Sequence, residues 1–356
     1  MPNWLEPMIQ TFEFYTVDPG TWKDITRLNN VKRCTISRDS GAETLGSATI
    51  DVTESVGECY IRVYMITIQN GVKDKIPLGT FLVQTPSSSF DGKIRDVTMD
   101  AYTPLIELKE NKPPIGYFIA KNEKIMERIF PIVRDNVRAP VVKTENTETF
   151  FQDFVSQTND TYLSFVRDAI ANAKYSLDLD EMGRILFAPK QDIASLQPVW
   201  TYNDDNSSIL HPKVSMEHDL YGVPNVVEIV YSNSRETFYS RVVNEDPNSP
   251  TSIQNRGREI IYRPTADDIT NYFVLQPNKA QIEEYARQVL RSLSTIEYTI
   301  SYTHGYCPVR VGDCVRLNYK KAGLTNIKAK VISQSIECEE GCSVSETAVY
   351  TTKLWG

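Results

Sequence analysis

The side chains best suited to chemistry form two small groups. Asp178, Asp180 and Glu181 place three carboxylates within four residues, a spacing that could hold a cation or supply a glycosidase acid–base pair. In an extended segment, however, Asp178 and Asp180 share one face and Glu181 lies at a turn, which is the pattern of a solvated hairpin. No calcium-loop spacing surrounds them. The second group is His304 with Cys307, Cys314, Cys338 and Cys342. Thiolates and an imidazole are zinc ligands, and Cys338-x3-Cys342 has a suitable spacing, whereas Cys307-x6-Cys314 does not. Glu339-Glu340-Gly341 between the closer pair reads as a tight loop. Cys338 and Cys342 are therefore expected to flank a hairpin as neighbouring thiols, with no metal; a zinc site and a facultative disulfide are the other readings. Cys34 and Cys59 complete six cysteines, most simply read as reduced and packed. His211 and His218 are the remaining histidines, too few for a paired-histidine site. There is no phosphate loop, no GxSxG and no HExxH. No catalytic, cofactor-binding or metal-binding residue is assigned. The 19 tyrosines could build a carbohydrate or single-strand surface, but at alternate strand positions they read as packing.

The elements that would position these residues are mostly strands. The 356 residues are 41% hydrophobic and 24% charged, ordinary globular values that exclude disorder as the main state. At that length two or three domains are expected. The longest apolar run, Cys59 to Ile68, is interrupted by Arg62 and is too short for a membrane span. The first residues lack the basic start of a secretory signal, so none is expected. With 38 basic against 46 acidic side chains the net charge is −8, which disfavours a general nucleic-acid or anionic-membrane binder.

Residues 1–100 alternate as short strands, with Asp18-Pro19-Gly20 and Asn70-Gly71 as turns. In Tyr60–Thr67 one face carries Tyr60, Arg62, Tyr64 and Ile66 and the other Ile61, Val63, Met65 and Thr67. Ile125, Ile129, Ile132 and Val133 then recur at helical spacing, with Asn122 as a cap and Pro131 ending the helix or starting another. Residues 159–188 form the clearest unit. Asn159 or Thr161 caps a helix with Leu163, Val166, Ile170 and Ala173 on one stripe. A hairpin follows, turning at Glu181-Met182-Gly183. Strand character returns at 210–231 and stops after Tyr231. Asn278 caps a helix to about Leu293, and four strands close the chain from Ile296. The fold class is β-rich α+β with two tube-like antiparallel β-barrels. The expected segments are a first barrel at 1–100, a mixed α/β middle at 101–209, and a second barrel from 210–235 plus 296–356. An insertion with loop and helix occupies 236–295.

Five stretches in this order resemble the hub proteins of phage tails and of related injection particles. They are TWKDITRLNNVKRCTISRDSGAETLGSATIDV, PLGTFLVQTP, VTMDAYTPLIEL, TYLSFVRDAIANAKYSLDLDEMGRILFAP and YTHGYCPVRVGDCVRLNYKKAGL. The resemblance spans nearly the whole chain and covers the N-terminal hub part of tail-associated lysins. It implies a homotrimer whose six similar barrels meet a hexameric tail tube, adapting sixfold symmetry to a threefold tip. The implied partners are the tail tube or distal tail protein, the tape measure protein, and a spike, fibre or lysin below. DNA would pass through without specific binding. The implied location is the virion tail tip or baseplate after assembly in the host cytoplasm. No enzyme activity, cofactor or membrane-spanning segment is expected. The chain stops at Gly356 without the long extension of a lysin. The alternative reading is a cell-wall-degrading or host-carbohydrate-binding tail-associated protein.

Overall fold

The computed structural model describes residues 2–355, apart from 91, 93–94, 192, 206–208, 233–235, 266–267, 270–271 and 274–276. Seven strands open the chain: β1 (Ile9–Val17), β2 (Asp24–Leu28), β3 (Val31–Asp39), β4 (Gly46–Val52), β5 (Tyr60–Gln69), β6 (Val72–Phe90) and β7 (Arg95–Tyr102). The β5–β6 hairpin closes at Asn70 and Gly71, whose φ values of 51° and 80° are the left-handed pair that a two-residue turn of matching twist requires. β5 pairs with β1 from Ile9↔Ile68 to Val17↔Tyr60. Tyr60 through Thr67 are all buried, so both faces of this alternating strand are covered.

The middle region contains helices α1 (Ile106–Glu110), α2 (Ile125–Asp135) and α3 (Tyr162–Asn172) and the two-residue strands β8 (Phe118–Ile119) and β9 (Phe154–Val155). Strands β10 (Tyr175–Leu179), β11 (Ile185–Pro189) and β12 (Pro198–Asn203) follow. Thr161 caps α3 by accepting from the Ser164 backbone N–H, and Ser164 Oγ accepts from Thr161 N–H in return. The stripe Leu163, Val166 and Ile170 is fully buried and joins Ile129 and Val133 of α2, Leu177 of β10 and Ile185 of β11 in one apolar core. Pro131 neither ends α2 nor begins another helix; it sits inside a continuous helix whose buried face outweighs the lost backbone bond. The α2 N-cap is Lys124, and Asn122 instead takes a left-handed conformation.

The remaining elements are β13 (Leu210–His218), β14 (Val226–Ser232), β15 (Thr237–Val243), α4 (Ile253–Arg256), β16 (Ile261–Tyr262), α5 (Lys279–Leu293), β17 (Thr295–Gly305), β18 (Cys314–Tyr319), β19 (Leu324–Glu337) and β20 (Ser343–Lys353). Thirteen strands share one sheet, in the path β13-β17-β20-β19-β3-β4-β7-β6-β5-β1-β2, with β18 on β19 and β12 on β18. The β19–β3 pairing, Ile336↔Ile36 and Glu337↔Thr35, joins the last strand group to the first. The fold is β-rich α+β. It departs from uniformly antiparallel pairing at β12/β18 and at β14/β16, which are parallel.

Contacts divide the chain into two compact units, Met1–Val214 with Ser301–Ala348, and Ser215–Ile300 with Val349–Gly356. This differs from the expected segments in two respects. Residues 1–100, 101–209 and 301–348 belong to one unit. Strand character also does not stop at Tyr231, because β14 pairs with β15 from Val226↔Val243 to Ser232↔Thr237. β14 thereby leaves the large sheet in which β13 lies; Gly222, with φ 71°, and Pro224 interrupt the chain between them. β15 escapes the sequence pattern because buried Ser240 stands between Phe238 and Val242 on its inward face. In the smaller unit, Val227, Ile229 and Val242 pack against Ile282, Ala286 and Leu290 of α5. Asn278 caps α5, with Gln281 completing a capping box.

Candidate functional site

Two polar assemblies organise the larger unit. The first is the tip of the β10–β11 hairpin, whose backbone carbonyls are taken by side chains distant in sequence. Arg62, 1% exposed at the centre of β5, gives Nε to Thr80 Oγ1 at 2.9 Å and Nη1 to Asp24 Oδ1 at 2.7 Å. Its Nη2 reaches Trp22 O at 3.3 Å and Met182 O at 3.2 Å. Trp22 Nε1 donates to the same Met182 carbonyl at 2.7 Å. Thr80 Oγ1 donates to Glu181 O at 3.5 Å, and Arg310 Nη2 donates to Leu179 O. Asp24 is held from its other side by Tyr64 OH at 2.8 Å. A buried guanidinium is tolerated only with this kind of saturation.

Gly183 makes that approach feasible. Its φ is +75°, and an added Cβ would lie 2.8 Å from Thr80 Cβ and 3.1 Å from Trp22 Cζ2. The carboxylates around the tip are not free in solvent. Glu181 pairs with Arg310 Nε at 2.8 Å and lies 3.8 Å from Arg38 Nη2. Asp180 accepts the Arg184 backbone N–H at 2.8 Å and its guanidinium. Asp178 lies 3.9 Å from Arg310. The solvated-hairpin expectation is corrected: Glu181 fastens the tip to Arg310 in the β17–β18 loop and Arg38 on β3, and Asp180 pairs with Arg184 within the hairpin.

The second assembly is sealed. His304 and Glu346, from neighbouring strands β17 and β20, are 0% and 1% exposed. His304 Nε2 lies 3.4 Å from Glu346 Oε2 and 3.1 Å from Tyr202 OH. Its Nδ1 lies 2.7 Å from the Gly305 carbonyl, so both ring nitrogens face acceptors. Tyr302 OH donates to Glu346 Oε1, and Gln334 Nε2 donates to Glu346 Oε2 at 2.7 Å and to Val309 O at 3.0 Å. Burial alone would lower the imidazole pKa; against it, the Cys307 thiol and the Glu346 carboxylate raise it to about 10. Burial drives the Tyr202 and Tyr302 phenols up, Glu346 reinforcing it.

Cys307, His304 and Glu346 have the residue types of a nucleophilic triad. Cys307 Sγ is 4.0 Å from Nδ1, however, and Nδ1 is already directed at a carbonyl. All three groups are closed to solvent. The arrangement fixes a proton inside a core and offers no path to a substrate.

The residues weighed as zinc ligands do not form one cluster, although His304 and Cys307 are neighbours. Among the described residues no three His, Cys, Asp or Glu groups are placed to hold a metal. Cys314 donates its thiol to Val315 O. Cys338 and Cys342 flank the β19–β20 loop, and all six cysteines are free thiols. The thiol closest to Cys338 in effect is Cys34 on β3: Cys338 N–H donates to Cys34 O at 2.9 Å, and the Cys34 thiol with burial raises Cys338 well above the ordinary thiol range. Burial likewise raises Cys342. Sequence reasoning missed Trp22, Tyr202 and Glu346, and saw Arg62 only as the one charge in an apolar run and Gly183 only as a turn residue.

No family model matches the chain, and no curated protein matches it. Solved structures do. A tail protein from Neisseria meningitidis superposes with a TM-score of 0.60 at 13% identity, covering 96% of this chain and 97% of that one. A 43 kDa tail protein of prophage MuSo2 from Shewanella oneidensis gives 0.57 at 13% identity, over 95% and 97%. A Francisella PdpA–VgrG complex gives 0.55 at 10% identity, over 98% of this chain and 53% of that one. The chain has the fold of phage tail proteins.

Proposed function

We propose that the chain is a structural hub of a phage-type tail tip or baseplate. Three copies would join a hexameric tail tube to a threefold tip and line part of the passage for DNA. The observation that carries this reading is the fold match to tail proteins over nearly the full length of both chains. Two further features support it. The first and last strand groups lie in one sheet through β3 and β19, as a rigid tube wall needs. The net charge of −8 suits a passage to which DNA should not adhere. The tube-like barrels would be built on β1–β7 and on the C-terminal strands. The tail tube or distal tail protein and the tape measure protein would dock above, and a spike, fibre or lysin below. The sealed state of Cys307, His304 and Glu346 supports a scaffold without enzymatic activity.

Electron microscopy of particles carrying an affinity tag on this chain, labelled with gold, tests the placement. Label at the tail tip is the expected result. Label on the head or along the tube, or cell-wall clearing by the purified chain in a zymogram, contradicts it.

A further inference from the structure

The smaller unit contains an aromatic cleft that the hub reading does not use. It has a volume of about 420 Å³ and is lined by Tyr262, Pro264, Asp268, Tyr272, Tyr285 and Val289. Tyr285 and Val289 are one turn apart on α5 and face it together. The Tyr272 and Tyr285 ring centroids are 4.4 Å apart at 35°. Tyr272 is 51% exposed, so its outer face is open. Tyr272 OH is anchored on Gln288 Oε1 at 2.7 Å, which holds the ring in place.

Asp268 supplies a carboxylate. Its Oδ2 accepts from Thr265 N at 3.0 Å and Oγ1 at 2.6 Å, and these bonds keep the group ionised. Oδ1 carries no hydrogen bond among the described residues. Burial raises the Tyr285 phenol, and Asp268, Tyr262 and Tyr272 each push it the same way. The neighbouring cations are engaged elsewhere: Arg263 on Glu228 at 2.7 Å, Arg287 on Glu283 at 2.8 Å, and Arg291 over Trp355. Among the described residues no cation lies over Tyr262, Tyr272 or Tyr285.

The partly exposed rings of Tyr262 and Tyr272, with buried Tyr285 stacked against Tyr272, and one fixed carboxylate, with no positive charge among them, form a receptor for a cation. We propose that this cleft receives an arginine side chain presented by a partner protein. A guanidinium is planar and weakly hydrated, stacks on tyrosine faces and donates laterally to a carboxylate, which suits rings that outnumber the carboxylate. A single exposed cation–π contact is weak, so such a site becomes effective as one anchor within a larger docking surface, where arginine is enriched.

The test uses the purified full chain and Nα-acetyl-arginine methylamide, titrated by NMR, with the neutral citrulline isostere and methyl glucoside in parallel. Saturable arginine binding is expected, with citrulline and the glucoside at least about fivefold weaker. Tyr272→Phe, which keeps a ring face but loses the Gln288 anchor, should bind more weakly than the native chain and more tightly than Tyr272→Leu. Tyr272→Leu and Asp268→Asn should each weaken binding about three- to tenfold. Equal binding of citrulline, saturation by the glucoside alone, or full binding by Tyr272→Leu would each overturn the proposal. This measurement does not depend on the tail-tip reading and can fail or succeed without it.

Discussion

The hairpin-tip lock and the His304 cluster solve the same problem with different partners. In the lock, Arg62, Trp22, Thr80 and Arg310 grip backbone carbonyls at 179, 181 and 182. Almost any residue could supply those carbonyls, and only Gly183 is demanded by shape. In the cluster, every group except the Gly305 and Val309 carbonyls is a side chain, so each residue type matters. The lock remains partly open, with the Asp24 side chain 24% exposed, whereas His304 and Glu346 are closed to solvent. The lock therefore joins elements far apart in sequence, and the cluster stores a proton.

The largest expected effect is on the lock. Arg62→Met removes all the bonds this side chain donates and leaves Asp24 with Tyr64 and the Met182 carbonyl with Trp22 alone, at a cost of about 3–5 kcal/mol, read from the urea midpoint. Glu346→Gln should cost about 2–3 kcal/mol, because Tyr302, Gln334 and the imidazole lose a charged acceptor. Gly183→Ala should cost about 1–3 kcal/mol through strain and displacement of the tip from Thr80. If it is neutral, the tip does not dock as described.

The pH dependence separates the two assemblies. His304 has a folded pKa raised to about 10, above the ordinary 6.5, so the folded state holds a proton that the unfolded chain has lost. That stabilisation is fully present below pH 6.5 and declines as pH rises toward 10, by at most about 1.4 kcal/mol per pH unit. Denaturation midpoints measured across that range should fall in the native chain and in Gly183→Ala, and should flatten in Glu346→Gln. The smallest effect is expected for Asp178→Asn, whose partner is 3.9 Å away: below about 0.5 kcal/mol by the same midpoint.

What could be read from the sequence was local. The α3 stripe and its Thr161 cap, the Asn278 cap and the Asn70-Gly71 turn each depend on neighbours within a few residues. The β3–β19 pairing joins residues about 300 apart, and no periodicity carries that information. The same holds for Cys34 beside Cys338, a neighbour on a distant strand that no spacing reveals, whereas the Cys338–Cys342 placement across a loop could be read locally. At the hairpin tip, the acids suggested solvation because Arg310 and Arg38, the partners of Glu181, lie far away in sequence. Glu346 was invisible because it occupies an inward position of β20 where the pattern calls for an apolar residue, and only His304, Tyr302 and Gln334 make it tolerable.

The proposed threefold tail-tip hub is tested most directly by the mass of the native protein in solution. Native mass spectrometry at micromolar concentration should give three chain masses, with the same trimer in Asp178→Asn. A monomer under those conditions, with no trimer as concentration rises, would contradict the account.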